Sequence, residues 1–248
     1  MKRKINYFIF ALMLIAIIII DVQASELPRE ANYKLHIRTI NMYDNLGNIY
    51  QSFEDVLTEE EYNSAISIET VSDTPCTGQF NNYCYQTEYK TLYVLYYYDS
   101  EEQRYYMISQ LFWEKEPLIK KYDIFAARWT NSVSYSFLKG TQEATGKSMV
   151  TYLPGDDNIL TFSKAVGITM NLYDNTDNHN LYLYLGFDAY PGTIYVTYQH
   201  ARHSNITFAM SQSYTISSSG LGGILYFSNT TVRNYYDGMQ GIVASSYV

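Results

Sequence analysis

Two short segments with a strict two-residue repeat constrain the fold of this chain most strongly. In residues 181–187 and 194–200, apolar and polar side chains alternate. Successive side chains of a β-strand point to opposite faces, so the pattern predicts two half-buried strands. Residues 188–193, which include a Pro-Gly pair, are typical of a turn. We therefore predict a β-hairpin whose inner face pairs Leu185 with Val196.

The opposite face of this predicted hairpin is polar and aromatic. Its members are Tyr182, Tyr184, Tyr195, Thr197 and Gln199. Aromatic rings beside hydroxyls and amides suit a sugar-binding surface, because the rings stack on sugar rings and the polar groups bond sugar oxygens. The alternative is that a second sheet or a helix covers these rings. We predict that these five residues bind the ligand.

The rest of the chain repeats the pattern of strand and turn. Segments Tyr89–Tyr98 and Arg104–Trp113 flank a short polar loop and predict a second hairpin. One helix is predicted over residues 53–66, where Thr58 and Glu61 have the spacing of a capping box. Roughly ten strands and one helix indicate an all-β, mainly antiparallel β-sandwich, jelly-roll-like, with one short N-terminal helix.

The first 24 residues have the three parts of a secretory signal peptide. A basic start precedes an uncharged run from Tyr7 to Ile20, which is shorter than the about 20 apolar residues of a membrane span. Val22 and Ala24 suit the −3 and −1 positions of a signal-peptidase site. We predict that this segment is removed and that residues 25–248 form one secreted domain. If it stayed uncleaved, it would be the only attachment to a membrane.

The two cysteines, Cys76 and Cys84, are close together in the sequence. A paired cysteine count in an exported protein predicts a disulfide, here Cys76–Cys84. Glycine and asparagine between them allow a tight turn. The alternative is a catalytic Cys–His pair.

Composition excludes some classes of partner. The chain has a formal net charge of −8 and contains 28 tyrosines. Nucleic-acid and anionic-lipid binding both require clustered basic residues, which this acidic chain lacks. Tyrosine favours strands and half-buried surfaces, so the excess supports both the β class and an aromatic binding face.

Two groups of residues suggest metal binding. Asp174 and Asp177 lie in an Asp/Asn-rich stretch that would suit calcium, although it lacks the spacing of an EF-hand, and a solvated turn is the alternative. In the predicted hairpin, His179, His200 and His203 come near one end and would suit zinc or copper. We predict no resident cofactor apart from the candidate calcium ion at Asp174 and Asp177.

The leading hypothesis for function is a non-catalytic, exported protein that binds a cell-surface glycan or protein. The chain contains no Gly-x-Ser-x-Gly motif for a serine hydrolase. A secreted hydrolase acting on polysaccharide is one alternative, and its carboxylates would come from Glu114, Glu116, Asp123 and Asp188. A self-assembling surface protein is the other alternative, in which edge strands of separate copies would pair.

Overall fold

The computed structural model describes residues 31–44, 46–69, 84–115, 117–174, 176, 178–217, 225–237 and 242–244. The predicted signal peptide and Cys76 lie outside these residues, so cleavage and the Cys76–Cys84 disulfide stay predictions. The described residues are mainly antiparallel β-structure, which confirms the all-β class. The finer prediction of a jelly-roll-like sandwich stays a prediction. Among the described residues, no helix is long and apolar enough to cross a membrane.

The described residues form fourteen strands and three short helices. The strands are β1 (Ala31–Tyr43), β2 (Ile49–Leu57), β3 (Cys84–Asp99), β4 (Arg104–Lys115), β5 (Tyr122–Trp129), β6 (Tyr135–Glu143), β7 (Val150–Tyr152), β8 (Ile159–Phe162), β9 (Ala165–Asn171), β10 (Asn180–Phe187), β11 (Ile194–Gln199), β12 (Tyr214–Ile216), β13 (Leu225–Phe227) and β14 (Ile242–Ala244). The helices are α1 (Glu59–Glu69), α2 (Phe208–Ser211) and α3 (Thr230–Arg233).

Most strands belong to two antiparallel sheets. The seven-stranded sheet has the order β2-β1-β3-β4-β10-β6-β7, and the five-stranded sheet has the order β14-β11-β5-β9-β8. Strands β12 and β13 form a separate two-stranded sheet. Strands that are distant in the chain are therefore neighbours, as when β10 lies between β4 and β6.

The main core contains buried side chains from both large sheets. Leu111 and Leu183 of the seven-stranded sheet belong to the same buried cluster as Phe125 and Val196 of the five-stranded sheet. The other face of the five-stranded sheet is also buried, because Ile124 packs into a second cluster formed with the C-terminal segments. The five-stranded sheet is thus covered on both sides, which explains why every residue from Asp123 to Trp129 in β5 is buried.

The N-terminal helix begins later than the sequence predicts. Residues of β2, including Phe53, are extended, and the helix starts at Glu59. The predicted capping box is confirmed: the Glu61 N–H donates to Thr58 Oγ1 at 3.3 Å, and the Thr58 N–H donates to Glu61 Oε2 at 2.9 Å. Such a box satisfies two backbone donors at the helix start. Tyr62 anchors α1, since its side chain is buried and its ring lies 4.2 Å from that of His36 in β1.

Of the two predicted hairpins, one is confirmed and one is wrong. Strands β3 and β4 form the predicted hairpin, with Asp99 opposite Arg104. Strands β10 and β11 do not pair, because β10 lies in the seven-stranded sheet and β11 in the five-stranded sheet. Their apolar residues face each other across the core instead of along one sheet. The alternating pattern identifies the apolar side chains that enter the core, but it does not determine which strand is the partner or whether the polar face is covered.

Candidate binding face

The five residues predicted to bind a ligand do not share one face. Tyr182 and Tyr184 lie on the outer face of the seven-stranded sheet, where both are partly exposed. Tyr195, Thr197 and Gln199 belong to β11 in the other sheet and point toward the second cluster. Thr197 is fully buried, Gln199 is 7% exposed, and Tyr195 stacks against Arg128 at 3.8 Å. The prediction that these five residues share one face is therefore wrong. The ligand-binding role stays a prediction, which we retain for Tyr182 and Tyr184.

The outer face of the seven-stranded sheet carries a cross-strand row of polar and aromatic residues. Tyr93 of β3 lies opposite Gln110 of β4, which in turn lies opposite Tyr182 of β10. The residues on either side of Gln110 in β4 point inward and are buried, so Gln110 belongs to the outer surface. We call five partly exposed tyrosines of this surface the tyrosine face; they are Tyr93, Tyr97, Tyr106, Tyr182 and Tyr184.

The centre of the tyrosine face is a pair of nearly parallel rings. The rings of Tyr182 and Tyr184 lie 5.8 Å apart with an interplanar angle of 14°. Gln110 Nε2 donates to Tyr182 Oη at 3.1 Å and to Asn180 Oδ1 at 2.8 Å. Lys139 Nζ lies 5.7 Å from the centre of the Tyr184 ring, within the range of a cation–π contact. These contacts hold the two rings nearly parallel to each other, with polar groups beside them.

The tyrosine face continues toward the β3–β4 turn. The rings of Tyr97 and Tyr106, on adjacent strands, lie 5.5 Å apart. Gly186 lies opposite Tyr106, and a Cβ atom at Gly186 would come within 3.1 Å of the Tyr106 ring. Such ring-over-glycine packing covers bare backbone and fixes the orientation of the ring.

The hydroxyls of the central pair stay protonated in the ordinary pH range. Burial raises the pKa of Tyr182, and the Glu143 carboxylate and the neighbouring tyrosine add to this shift. Burial also raises the pKa of Tyr184. A neutral phenol both donates and accepts a hydrogen bond, as a ligand rich in hydroxyl groups requires.

At the other end of the face, α1 and the sheet enclose an open groove of about 350 Å³. Tyr62, Tyr93 and Phe112 provide aromatic walls, and Lys34 and Glu114 provide the charged groups. Gln110 lines the groove and also bonds Tyr182, so the groove is continuous with the tyrosine face. Helix α1 forms one wall of this groove, because Tyr62 and Asn63 line it together with residues of the sheet.

Comparison with known proteins gives no guidance on function. No family model, curated protein or solved structure matches this chain.

Several residues of this surface were missed at the sequence level. The β3–β4 hairpin was predicted with strands Tyr89–Tyr98 and Arg104–Trp113, but without a register. The observed register, with Asp99 opposite Arg104, is what places Tyr93 opposite Gln110. The adjacency of β4 to β10 carried no signal in the sequence, because about 65 residues of other structure separate them in the chain.

The carboxylates considered for a hydrolase have separate environments. Glu114 lines the groove, whereas Asp123 is fully buried and bonds His200. Asp188 is exposed and forms an ion pair with Arg104 at 2.8 Å. Glu116 lies outside the described residues. A glycosidase needs two carboxyl groups flanking one cleft, and these contacts do not supply such a pair.

The residues considered for metal binding are likewise dispersed. Asp174 is exposed, and Asp177 lies outside the described residues, so the calcium site stays a prediction. His200 bonds Asp123, His179 Nε2 accepts from the Tyr173 N–H at 3.1 Å, and His203 stacks on Tyr235. Within the part of the chain that the structure describes, no three His, Cys, Asp or Glu residues are grouped to hold a metal ion.

A buried polar network lies away from this surface. Lys90 of β3 is fully buried, donates to Asp237 and lies 3.5 Å from Glu54 Oε1. On its other side, Asp237 accepts from the His200 N–H at 2.9 Å, and His200 Nδ1 lies 3.0 Å from Asp123 Oδ2. The network joins both large sheets and the C-terminal segment, and its burial suits a role in stability.

Proposed function

We propose that this chain is an exported, non-catalytic β-sandwich protein that binds a cell-surface glycan on its tyrosine face. The observation that carries the proposal is the parallel Tyr182–Tyr184 pair, partly exposed on the outer face of a sheet and edged by the Gln110 amide. A sandwich arrangement is supported by the buried cluster that the two large sheets share.

The chemistry of the face suits a carbohydrate better than an anion or an apolar ligand. Tyrosine rings offer flat apolar area, and their hydroxyls, with Gln110 and Asn180, offer hydrogen bonds beside it. Both hydrogens of Gln110 Nε2 are used inside the face, which leaves Oε1 to accept from a sugar hydroxyl. Mixed stacking and hydrogen bonding on a shallow surface is what a glycan chain requires.

A binding role is favoured over a hydrolytic one because the face presents rings and amides where an enzyme would present paired carboxylates. Glu114 is the carboxylate of the adjoining groove. The carboxylates proposed as its partners are buried with His200, ion-paired with Arg104, or outside the described residues.

The experiment is a glycan array followed by titration calorimetry on the best ligand, with Tyr184→Ala as the test variant. We expect Tyr184→Ala to weaken binding about tenfold or more, which corresponds to about 1.4 kcal/mol. Tyr226→Ala is the matched control, since Tyr226 is 56% exposed and lies in the separate two-stranded sheet. It should leave the affinity unchanged.

Thermal unfolding of the same variants separates binding from folding. Tyr184 is partly exposed, so its truncation should cost far less stability than truncation of the fully buried Leu185 beside it. Equal glycan affinity in Tyr184→Ala and wild type would overturn the proposal. Binding to a purified surface protein, with no glycan bound on the array, would replace the glycan by a protein ligand.

A further inference from the structure

The groove between α1 and the tyrosine face contains a buried nitrogen that has no hydrogen-bond partner among the described residues. His36 is 6% exposed and lines the groove. Its Nδ1 lies 2.9 Å from Thr91 Oγ1, and its ring lies against that of Tyr62, which together fix its orientation. The other ring nitrogen, Nε2, is buried and, within the part of the chain that the structure describes, has no partner. Buried polar atoms are nearly always satisfied, so this nitrogen is a candidate to bond a group supplied from outside.

The imidazole of His36 is suited to a neutral partner. Burial, with the neighbouring Lys34 ammonium, lowers the pKa of His36, and Glu59 opposes this shift only in part. The ring is therefore neutral at physiological pH and offers one directional hydrogen bond through Nε2. A hydroxyl group can complete this bond for either tautomer, because a hydroxyl both donates and accepts.

The charges around the groove disfavour an anion. Lys34 Nζ is already paired with Glu59 Oε1 of α1 at 3.0 Å. Glu114 is exposed and lines the groove on the side of β4. Among the described residues that line the groove, the basic side chain is Lys34, which is committed to Glu59. An anionic ligand would therefore meet the Glu114 carboxylate unfavourably, so the electrostatics favour an uncharged ligand.

The size and position of the groove point to one sugar unit. Its volume of about 350 Å³ is near the lower end of the range for small-molecule sites. Tyr93 and Gln110 belong both to the groove and to the cross-strand row that reaches Tyr182. A glycan lying on the tyrosine face would thus extend directly into the groove.

We propose that the groove receives the terminal, uncharged monosaccharide of the glycan, with a sugar hydroxyl bonded to His36 Nε2 and acidic sugars excluded by Glu114. This inference rests on the proposed function for the remainder of the glycan. It adds the class of sugar and the residues that select it.

The test is NMR of the protein with ¹⁵N-labelled histidine, titrated with two matched pairs of monosaccharides at millimolar concentration. The pairs are glucose with glucuronate and galactose with galacturonate, which differ at one carbon. We expect at least one neutral sugar to shift the His36 Nε2 resonance and its acidic counterpart to bind about tenfold more weakly. Glu114→Gln, a change at an exposed position, should reduce this difference.

Two variants make the assignment secure. His36→Gln identifies the His36 signal and should abolish the response to the sugar, whereas His203→Gln, which alters a histidine stacked on Tyr235, should preserve it. The inference is overturned if no neutral monosaccharide shifts the His36 resonance, or if each acidic sugar binds as well as its neutral counterpart.

The two proposals fail in different ways. If Tyr184→Ala weakens oligosaccharide binding while His36 responds to no sugar, the tyrosine face binds glycan and the groove inference is wrong. If His36 responds to a neutral monosaccharide while Tyr184→Ala leaves oligosaccharide binding unchanged, the groove is a sugar site and the tyrosine face is not.

Discussion

Tyrosine serves two purposes in this protein, and the environment of the hydroxyl separates them. Tyr198 is fully buried, donates to the Asp123 carboxylate and accepts from Trp113 Nε1 at 3.2 Å. Burial and the Asp123 charge raise the pKa of Tyr198 well above its ordinary value. Tyr182 bonds an amide at a partly exposed surface instead. The same residue type therefore completes a buried hydrogen-bond network at one site and presents a partly exposed ring and hydroxyl at another.

The buried ammonium group of Lys90 requires compensating partners in the interior. This group is fully buried, yet Asp237 and Glu54 raise its pKa despite the opposing effect of burial. A buried charge is tolerable only with such partners, because its removal from water is costly. The ring of Trp113, 5.3 Å away, adds a cation–π contact.

The first prediction concerns this ion pair. Lys90→Met should lower the free energy of unfolding by about 3–5 kcal/mol, because Asp237 is left buried without its counter-charge. In the Lys90→Met/Asp237→Asn double variant, the two losses should be far from additive. Urea unfolding of the wild type, both single variants and the double variant measures the coupling. A loss below about 1 kcal/mol for Lys90→Met would contradict the structural role given to this pair.

The connection from β10 to β11 replaces the hairpin turn that the sequence predicted. It carries the chain from the seven-stranded sheet to the five-stranded sheet. Gly192 has a φ of 77°, and the neighbouring Pro191 carbonyl accepts from the Asn131 N–H at 3.0 Å. The connection is therefore tied to the end of β5, beside which β11 lies.

The second prediction tests this connection with two glycines of similar backbone conformation. A Cβ at Gly192 would lie 2.1 Å from Thr130 Oγ1, whereas nothing lies within 4 Å of a Cβ at Gly146, whose φ is 71°. Gly146→Ala should cost about 1–2 kcal/mol from left-handed strain alone. Gly192→Ala should cost about 1–3 kcal/mol more, because Thr130, which accepts from the Thr193 N–H, must move.

Chemical denaturation of the two glycine variants under the same conditions measures this difference. Equal losses of stability would mean that strain alone accounts for both substitutions. The contact with Thr130 would then have no part in fixing the connection.

For the molecule as a whole, the buried polar network connects segments that are far apart in the chain. Glu54 and Lys90 belong to the seven-stranded sheet, Asp123 to the five-stranded sheet, and Asp237 to the C-terminal segment. His200 links the last two, through its ring to Asp123 and through its backbone to Asp237. Such a network makes the packing of the two sheets depend on the C-terminal segment.

The third prediction is a pH dependence of stability through His200. Burial disfavours its charged form, but the Asp123 carboxylate and, further away, Glu88 outweigh burial and raise the pKa of His200. Between the unfolded value of 6.5 and the folded value, the folded protein binds more protons than the unfolded chain. The stabilisation is therefore complete below the unfolded pKa and is lost as the pH rises through the folded pKa.

Urea unfolding from about pH 6 to pH 9, on the wild type and on His200→Gln, measures this contribution. The wild type should lose up to about 1.4 kcal/mol per pH unit relative to the variant within the window. NMR titration of His200 gives the same pKa directly and does not require the variant to fold. Parallel stability curves, or a His200 pKa below 6.5, would contradict the prediction.

The sequence by itself identified core side chains and local signals such as a helix cap. Alternation marked Leu185 and Val196 as core residues, and both are fully buried. The spacing of Thr58 and Glu61 located the start of α1, although the helix was predicted to begin too early. These features are local, since a strand repeats every two residues and a capping box spans four.

Only the tertiary structure decided which strands that are not joined by a tight turn are neighbours, and with them the composition of the candidate site. The period of two is the same whether β10 and β11 pair in one sheet or face each other across a core, so the pattern could not exclude the hairpin. Tyr195, predicted beside Tyr184, lies in the other sheet, and Gln110 lies beside Tyr182 instead. His36, Lys90 and Asp237 gain their roles from contacts between distant segments, which no local pattern records.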